Sequence, residues 1–453
     1  MQDYRIEKDS LGEVKVPTNA LYQAQTQRAL DNFSISGRTL PTVFYRALAQ
    51  IKLAAAVANQ HQGKLTSAQA EAIRQAAMKI IAGEHADQFR VDVFQTGSGT
   101  STNMNMNEVI ATLAGRYGED SIHANDHVNC SQSSNDTIPS ALQLSAAQSL
   151  KQELLPAMQH LLKDLEEKMH EVKGVVKTGR THLMDALPLT LTQELGCWHY
   201  QIHENLTALE EGLEELCALP IGGTAIGTGL NCPDGFDRQV CKHLRDATGL
   251  PVTPSSNKFS RIASQDVSVR LSGRLNALAV TLMKIANDLR WMNSGPLSGL
   301  AEIHLQAIQP GSSIMPGKVN PVLPEAVAMV CAKVMGLHQS ISIAGQSGNF
   351  QLNVMLPLIA DALLESLRLL SRGLLAVAQS IRHLKVNTEQ LQQALAKNPI
   401  LVTALNEKIG YEKAAQIAKL AYEQKRPIIE IAQEQTELSK EELRDLLNPE
   451  KMT

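Results

Sequence analysis

Four stretches of this 453-residue chain gather hydroxyl and amide side chains around a few acid–base groups: TGSGTSTNMNMNE at 96–108, HANDHVNCSQSSNDT at 123–137, KTGRTHLMDALPLT at 177–190 and GSSIMPGKVNP at 311–321. The first, second and fourth lead into helical patterns, with Pro139 and Pro321 near the first turn of the last two. A helix start offers free N–H groups and the positive end of a dipole, a setting for a carboxylate or phosphate. Hydroxyls and amides there add donors without the mobility of long cations. Each run alone reads equally well as caps and turns. All four together, with His182 and Lys318 as their chemically active members, argue for a site.

The run at 311–321 is the sharpest. Gly311 and Gly317 provide hinges, Pro310 and Pro316 stiffen the flanks, and Ser312 and Ser313 sit between them. Such a loop can close over a substrate and exclude water. His182 sits in Arg-Thr-His-Leu, although a lone histidine is more often structural than catalytic. Glu325, just inside the following helix, could orient or charge that histidine, or simply be a first-turn acid favoured by the dipole.

Competing motifs fail. TGSGT lacks the spacing and lysine of a P-loop, and GGTAIGTG at 222–229 is neither G-x-G-x-x-G nor preceded by a clear strand. His123 and His127, like His199 and His203, are four apart, but neither pair has the glutamate of H-E-x-x-H and no cysteine or carboxylate cluster completes a ligand set. No bound metal is expected. No G-x-S-x-G elbow is present.

The elements that must carry these groups read as helices. The pattern turns helical at Phe44, and Thr66 with Gln69 forms a capping pair ahead of a helix stopped by Gly83. Between 267 and 289 the apolar positions Val267, Leu271, Leu275, Leu278, Leu282, Ile285 and Leu289 form a coiled-coil-like seam. A similar stripe runs Leu154, Met158, Leu161, Leu165, Met169, Val172, and 193–218, 321–336 and 353–385 add further helix. Residues 1–43 show turns and little periodicity, and almost no segment alternates as a strand. The fold class is therefore mostly α. Several seams are wider than one bundle needs, which hints at an oligomer built helix against helix. After about Lys385 the helices shorten into a small C-terminal domain.

Composition bounds the rest. With 42 basic and 46 acidic residues the chain has no excess of positive charge for nucleic acid. Six cysteines, at 130, 197, 217, 232, 241 and 331, include no C-x-x-C pair and read as thiols of a reducing compartment. The start MQDYRIEKDS is not a leader, and no run of about 18 apolar residues exists. A soluble cytoplasmic protein is expected, with no nucleic-acid or membrane partner.

GSSIMPGKVNP closely resembles the signature of the fumarase/aspartase superfamily. TGSGT followed by NMNMNE, SQSSND, GRTHL, GGTAIGTGLN, MKIANDLRW and LVTALN-x-x-IGY extend the resemblance over nearly the whole chain, with the best match to class II fumarate hydratases. Thr181-His182 is similar to fumarases, where aspartases typically carry glutamine for that histidine, and Ser98 favours fumarase over the aspartase-like alanine. Against this, Val322-Leu323-Pro324-Glu325 reads more like aspartase, and Met184 and Cys130 stand where fumarases commonly have Gln and Lys.

The resemblance implies a three-domain fold, here 1–133, a central long-helix bundle at 134–388, and a small helical domain at 389–453. It implies a homotetramer with a core of long helices from all four subunits, active sites built from three chains, and neither metal nor cofactor. The implied reaction, a step of the tricarboxylic acid cycle, is reversible anti addition of water to fumarate, giving L-malate through a carbanion stabilised as an aci-carboxylate. By the same resemblance, Ser312 is the proton-abstracting base, and His182 paired with Glu325 acts on the hydroxyl side. Lys318 and Asn320 bind one carboxylate, and Ser98, Thr100, Ser133, Ser134, Asn135 and Thr181 hold the other groups. His123, Asn125 and Asp126 match a second anion site. An aspartate ammonia-lyase-like elimination releasing fumarate is the nearer alternative, and a catalytically silent scaffold the farther one.

Overall fold

Helix Thr42–His61 is rich in alanine, and its small side chains let three neighbours approach closely: helices Ser67–Ile81, Ser134–Ser149 and Phe236–Thr248 all pack on it. Phe44, Ala47, Leu48, Ile51, Ala55 and Ala58 are buried there. The computed structural model describes residues 3–117 and 121–453. The chain divides into two compact units, one of Met1–Pro156, Asn205–Ala279 and Cys331–Arg372, the other of Ala157–Glu204, Val280–Val330 and Gly373–Thr453.

In the first unit the capping box of Thr66 and Gln69 forms as expected, and Gly83 follows the helix end with φ 93°. Helix Thr100–Ala114 begins at Gly99, and helix Ser134–Ser149 begins at Ser133 with Asp136 completing a capping box. Pro139 lies inside that helix, in its second turn. The expectation that 1–43 lacks strands is corrected: Tyr4–Asp9 pairs antiparallel with Gly12–Pro17. Apart from buried Val16, that hairpin has only exposed and half-buried positions, so its hydropathy period is faint.

The second unit contains helix Leu155–Glu171 from Ala157 onward, the hairpin Val176–Thr181 and Met184–Thr190, and the loop between helices Asp266–Met292 and Val322–Gln346. Leu154, Met158, Leu161, Leu165 and Val172 are buried as their spacing predicts, with Met169 of the same stripe half-buried, and every seam position from Val267 to Leu289 is buried too. The polar run at 177–190 is thus a strand pair. The short helices Thr388–Ala396, Tyr411–Gln424, Ile428–Gln435 and Lys440–Leu446 enclose their own core of Leu395, Leu405, Ile417, Ile431 and Leu443.

Helix Val322–Gln346 qualifies the reading that no segment resembles a membrane span. By length and composition it is apolar enough to cross a membrane, with a mean hydropathy of 1.4, although it carries Glu325 and Lys333. Only 22% of that apolar window is buried within the chain.

Candidate active site

The first unit gathers the hydroxyls and amides. Ser98 Oγ and Thr100 Oγ1 lie 2.8 Å apart at the start of helix Thr100–Ala114. The segment is pinned from below, since Leu356 N–H donates to Gly97 O, and a Cβ on Gly97 would lie 1.7 Å from Val354 O. Ser133 caps the next helix by accepting from Asn135 N–H at 3.2 Å, and Asn135 Nδ2 donates to Ala225 O at 2.8 Å. Ser134 Oγ accepts from Asn103 Nδ2 at 3.0 Å. Ser133, Ser134 and Asn135 therefore form one turn at a helix start, with backbone dipoles aimed past their side chains.

Asp136 holds that turn. Its carboxylate accepts from Ser133 N–H at 2.9 Å, Gly222 N–H at 3.0 Å and Thr224 N–H at 2.8 Å. Burial pushes its carboxyl up to about 6 despite those bonds. The glycine-rich stretch at 222–229, which fits no nucleotide motif, thus has a structural role: its backbone N–H groups satisfy a buried acid.

The second unit holds the acid–base groups. In the 311–321 loop, Gly311 N–H donates to Lys318 O at 2.9 Å and Asn320 Nδ2 donates to Gly311 O at 2.6 Å, closing the loop's neck. A Cβ on Gly311 would lie 2.4 Å from Lys318 O, so the neck admits only glycine without shifting. Ser312 Oγ accepts from the N–H groups of Ile314 at 3.2 Å and Met315 at 3.1 Å. Lys318, Asn320 and Glu325 line a cavity of about 860 Å³ together with Arg290, Asn293 and His304.

His182 sits at the exposed tip of the second-unit hairpin, where it and Leu183 both have positive φ, 56° and 62°. A two-residue hairpin turn of this hand favours Asn-Gly, so a His-Leu pair there is strained. The base of the hairpin is anchored by charge. Arg180 donates twice to Glu302, both bonds 2.7 Å, while buried Lys177 donates to Glu302 at 2.7 Å and Glu194 at 2.6 Å. Burial works to raise the Glu302 carboxyl, but the Arg180 and Lys177 partners outweigh it and hold it below its ordinary range. Thr181 pairs with Met184 beside the tip. Within the chain, His182 and Glu325 form no ion pair among the described residues.

His123, Asn125 and Asp126 occupy an exposed turn over Ala124–Val128 and line a separate cavity of about 490 Å³ in the first unit. His123 Nδ1 lies 3.5 Å from Asp126 Oδ2.

Comparison with known proteins bears on this arrangement. A family model described as Lyase matches residues 12–336, and one described as Fumarase C C-terminus matches 401–453. The chain is 54% identical to "Fumarate hydratase class II 2" of Pseudomonas aeruginosa, over 100% of this chain and 99% of that protein. It is 55% identical to "Fumarate hydratase class II" of Xylella fastidiosa strain 9a5c, over 99% of this chain and 95% of the relative. The chain belongs to the class II fumarate hydratase family. The fold agrees: a crystal structure of class II fumarase from Schistosoma mansoni superposes with a TM-score of 0.96, at 39% identity and 99% coverage of both chains.

Among the residues of this class II family member that sequence reasoning passed over are Asp136, Asn103, Lys52, Arg180 and Glu302. A signal existed for some. Lys52 and Asn59 interrupt an apolar stripe with Leu48 and Ala55 at helical spacing, and both reach the 129–132 loop. Glu302 lies far from Arg180 in sequence, and only folding pairs them.

Proposed function

We propose that this lyase catalyses the reversible anti hydration of fumarate to L-malate, a step of the tricarboxylic acid cycle, with Ser312 as the carbon base and His182 on the oxygen side. The observation that carries the assignment of the base is the setting of Ser312. A serine is a poor base in water, and two backbone N–H groups on Oγ are what an alkoxide needs. In the malate direction the alkoxide takes the C3 proton, and the electron pair moves into the adjacent carboxylate as an aci-dianion. Lys318 and Asn320 offset that charge. Protonated His182 then delivers its proton to the C2 hydroxyl as the C–O bond breaks, leaving fumarate and water. Ser312 and His182 return to their starting forms by proton exchange with solvent. Ser98, Thr100, Ser133, Ser134, Asn135 and Thr181 hold the remaining groups of the dicarboxylate, and Glu325 of a neighbouring subunit orients His182. His123, Asn125 and Asp126 form a second anion site.

The protein works as a homotetramer in the cytoplasm, needs neither metal nor cofactor, and follows the division 1–133, 134–388 and 389–453. Support for the tetramer comes from the mostly uncovered apolar helix Val322–Gln346, with Met329 and Ile343 exposed, and from the lack of an ion pair between His182 and Glu325 among the described residues. The separate core around Leu405 and Ile417 supports the third domain. Six free cysteines fit a reducing compartment.

The test is loss of fumarate absorbance by purified protein in chelator, with and without ammonium. Loss without ammonium, with malate as product, is expected. Loss only with ammonium would move the protein to aspartase chemistry, which the names of its full-length relatives disfavour.

A further inference from the structure

Lys52 is fully buried in the alanine-rich helix Thr42–His61. Its Nζ donates to Asn129 Oδ1 and to Gln132 Oε1, both at 3.0 Å. As ammonium or as amine, Nζ carries at least two N–H donors, and both amides turn their oxygens toward them. The backbone enforces the same orientation. Gln132 Nε2 donates to Val128 O at 3.1 Å and Cys130 O at 3.0 Å, while Asn129 Nδ2 donates to Gln132 O at 3.3 Å.

With its oxygen fixed inward, Asn129 Oδ1 accepts two more donors, Asn103 Nδ2 at 3.1 Å and Asn107 Nδ2 at 3.2 Å. Asn103 therefore presents its Nδ2 edge here, and its second N–H goes to Ser134 Oγ at 3.0 Å. Asn103 is fully buried and its Oδ1 has no partner, so nothing on that side draws the amide into the opposite orientation. Ser134 accepts on its inner side, and its own hydrogen is left for a group outside. An ionised carboxylate accepts and never donates, so this polarity suits one end of a dicarboxylate.

We propose that Lys52, Asn129 and Asn103 form a fixed chain of hydrogen bonds that makes Ser134 an obligate donor to the substrate carboxylate, with Lys52 and Asn103 as positioning residues. The inference rests on the reading of Ser134 as a substrate ligand. It distinguishes a polarity role from simple packing, because the near-isosteric change Asn103→Asp reverses the edge that faces Ser134 while filling the same space. The new carboxylate would capture the Ser134 hydrogen.

The experiment measures fumarate KM and kcat, with thermal midpoints, for Ser134→Ala, Asn103→Asp, Asn103→Ala and the double variant Ser134→Ala/Asn103→Asp. Ser134→Ala and Asn103→Asp each raise KM about tenfold with a smaller change in kcat. Asn103→Ala raises KM less, even though it lowers the thermal midpoint more. In the Ser134→Ala background, Asn103→Asp adds nothing. A larger KM effect for Asn103→Ala than for Asn103→Asp, or full additivity in the double variant, overturns the polarity role. An unchanged KM for Ser134→Ala overturns both this inference and the ligand reading beneath it. Should Asn103→Asp not assemble, Lys52→Gln carries the test, since its amide can turn either end toward Asn129. A several-fold rise in KM then supports the proposal, and an unchanged KM overturns it.

Discussion

Ser312 illustrates how little a residue type says without its partners. A hydroxyl becomes a useful base only where its oxyanion is stabilised, and the Ile314 and Met315 N–H groups converge on that oxygen. Ser312→Ala is expected to lower kcat by about 10²–10⁴-fold with a modest change in KM. Near-normal turnover in stopped-flow or steady-state assays would remove Ser312 as the base. Lys52 makes a second claim at this scale, on stability. Burial pushes its ammonium down to about 7 from 10.5, so from about pH 7 to 10.5 the unfolded chain holds a proton that the folded chain has released. Stability from this group therefore rises with pH across that window, and its penalty is complete below it. The stability difference between wild type and Lys52→Met, from urea midpoints, should shift in favour of wild type between pH 7 and pH 10, where the window in question lies. A flat difference would contradict the burial argument.

At the scale of elements, the hairpin carrying His182 combines a rigid base with a strained tip. The Arg180, Lys177 and Glu302 cluster fixes the strands, while Leu183 is held at φ 62°. A branched side chain in the left-handed region costs about 1 kcal/mol relative to glycine. Leu183→Gly should therefore stabilise the fold by about 1 kcal/mol in denaturant titrations while slackening the placement of His182 and lowering kcat. A destabilised variant would show that Leu183 packs in the assembly more than it strains the turn. The seam helix Asp266–Met292 is the opposite case. Its seam positions from Val267 to Leu289 are buried and their regular spacing serves packing, while Val280 and Trp291 on other faces stay exposed.

For the whole molecule, the acid–base residues His182, Ser312 and Lys318 fall in one compact unit, and Ser98, Thr100 and the Ser133-Ser134-Asn135 turn fall in the other. Light scattering should give four times the chain mass. Subunits carrying Ser312→Ala and subunits carrying His182→Asn, each inactive alone, should regain a measurable fraction of activity when refolded together. No recovery in verified mixed tetramers would rule out sites shared between chains.

The long helices and the chemistry-bearing runs are legible in the residues alone. Apolar spacing at 267–289 and 154–172, the Thr66–Gln69 cap and the four polar stretches are local patterns, and local patterns survive being read in one dimension. The hairpin at Tyr4–Pro17 escaped because Val16 is its one fully buried residue and the other positions are exposed or half-buried, so its period is weak. Which distant groups meet is settled by folding: Glu302 with Arg180, Lys52 with Asn129, Asp136 with the N–H groups of Gly222 and Thr224. Such pairings arise from chain segments tens to hundreds of residues apart, and the need to satisfy buried charge selects them once the helices have packed.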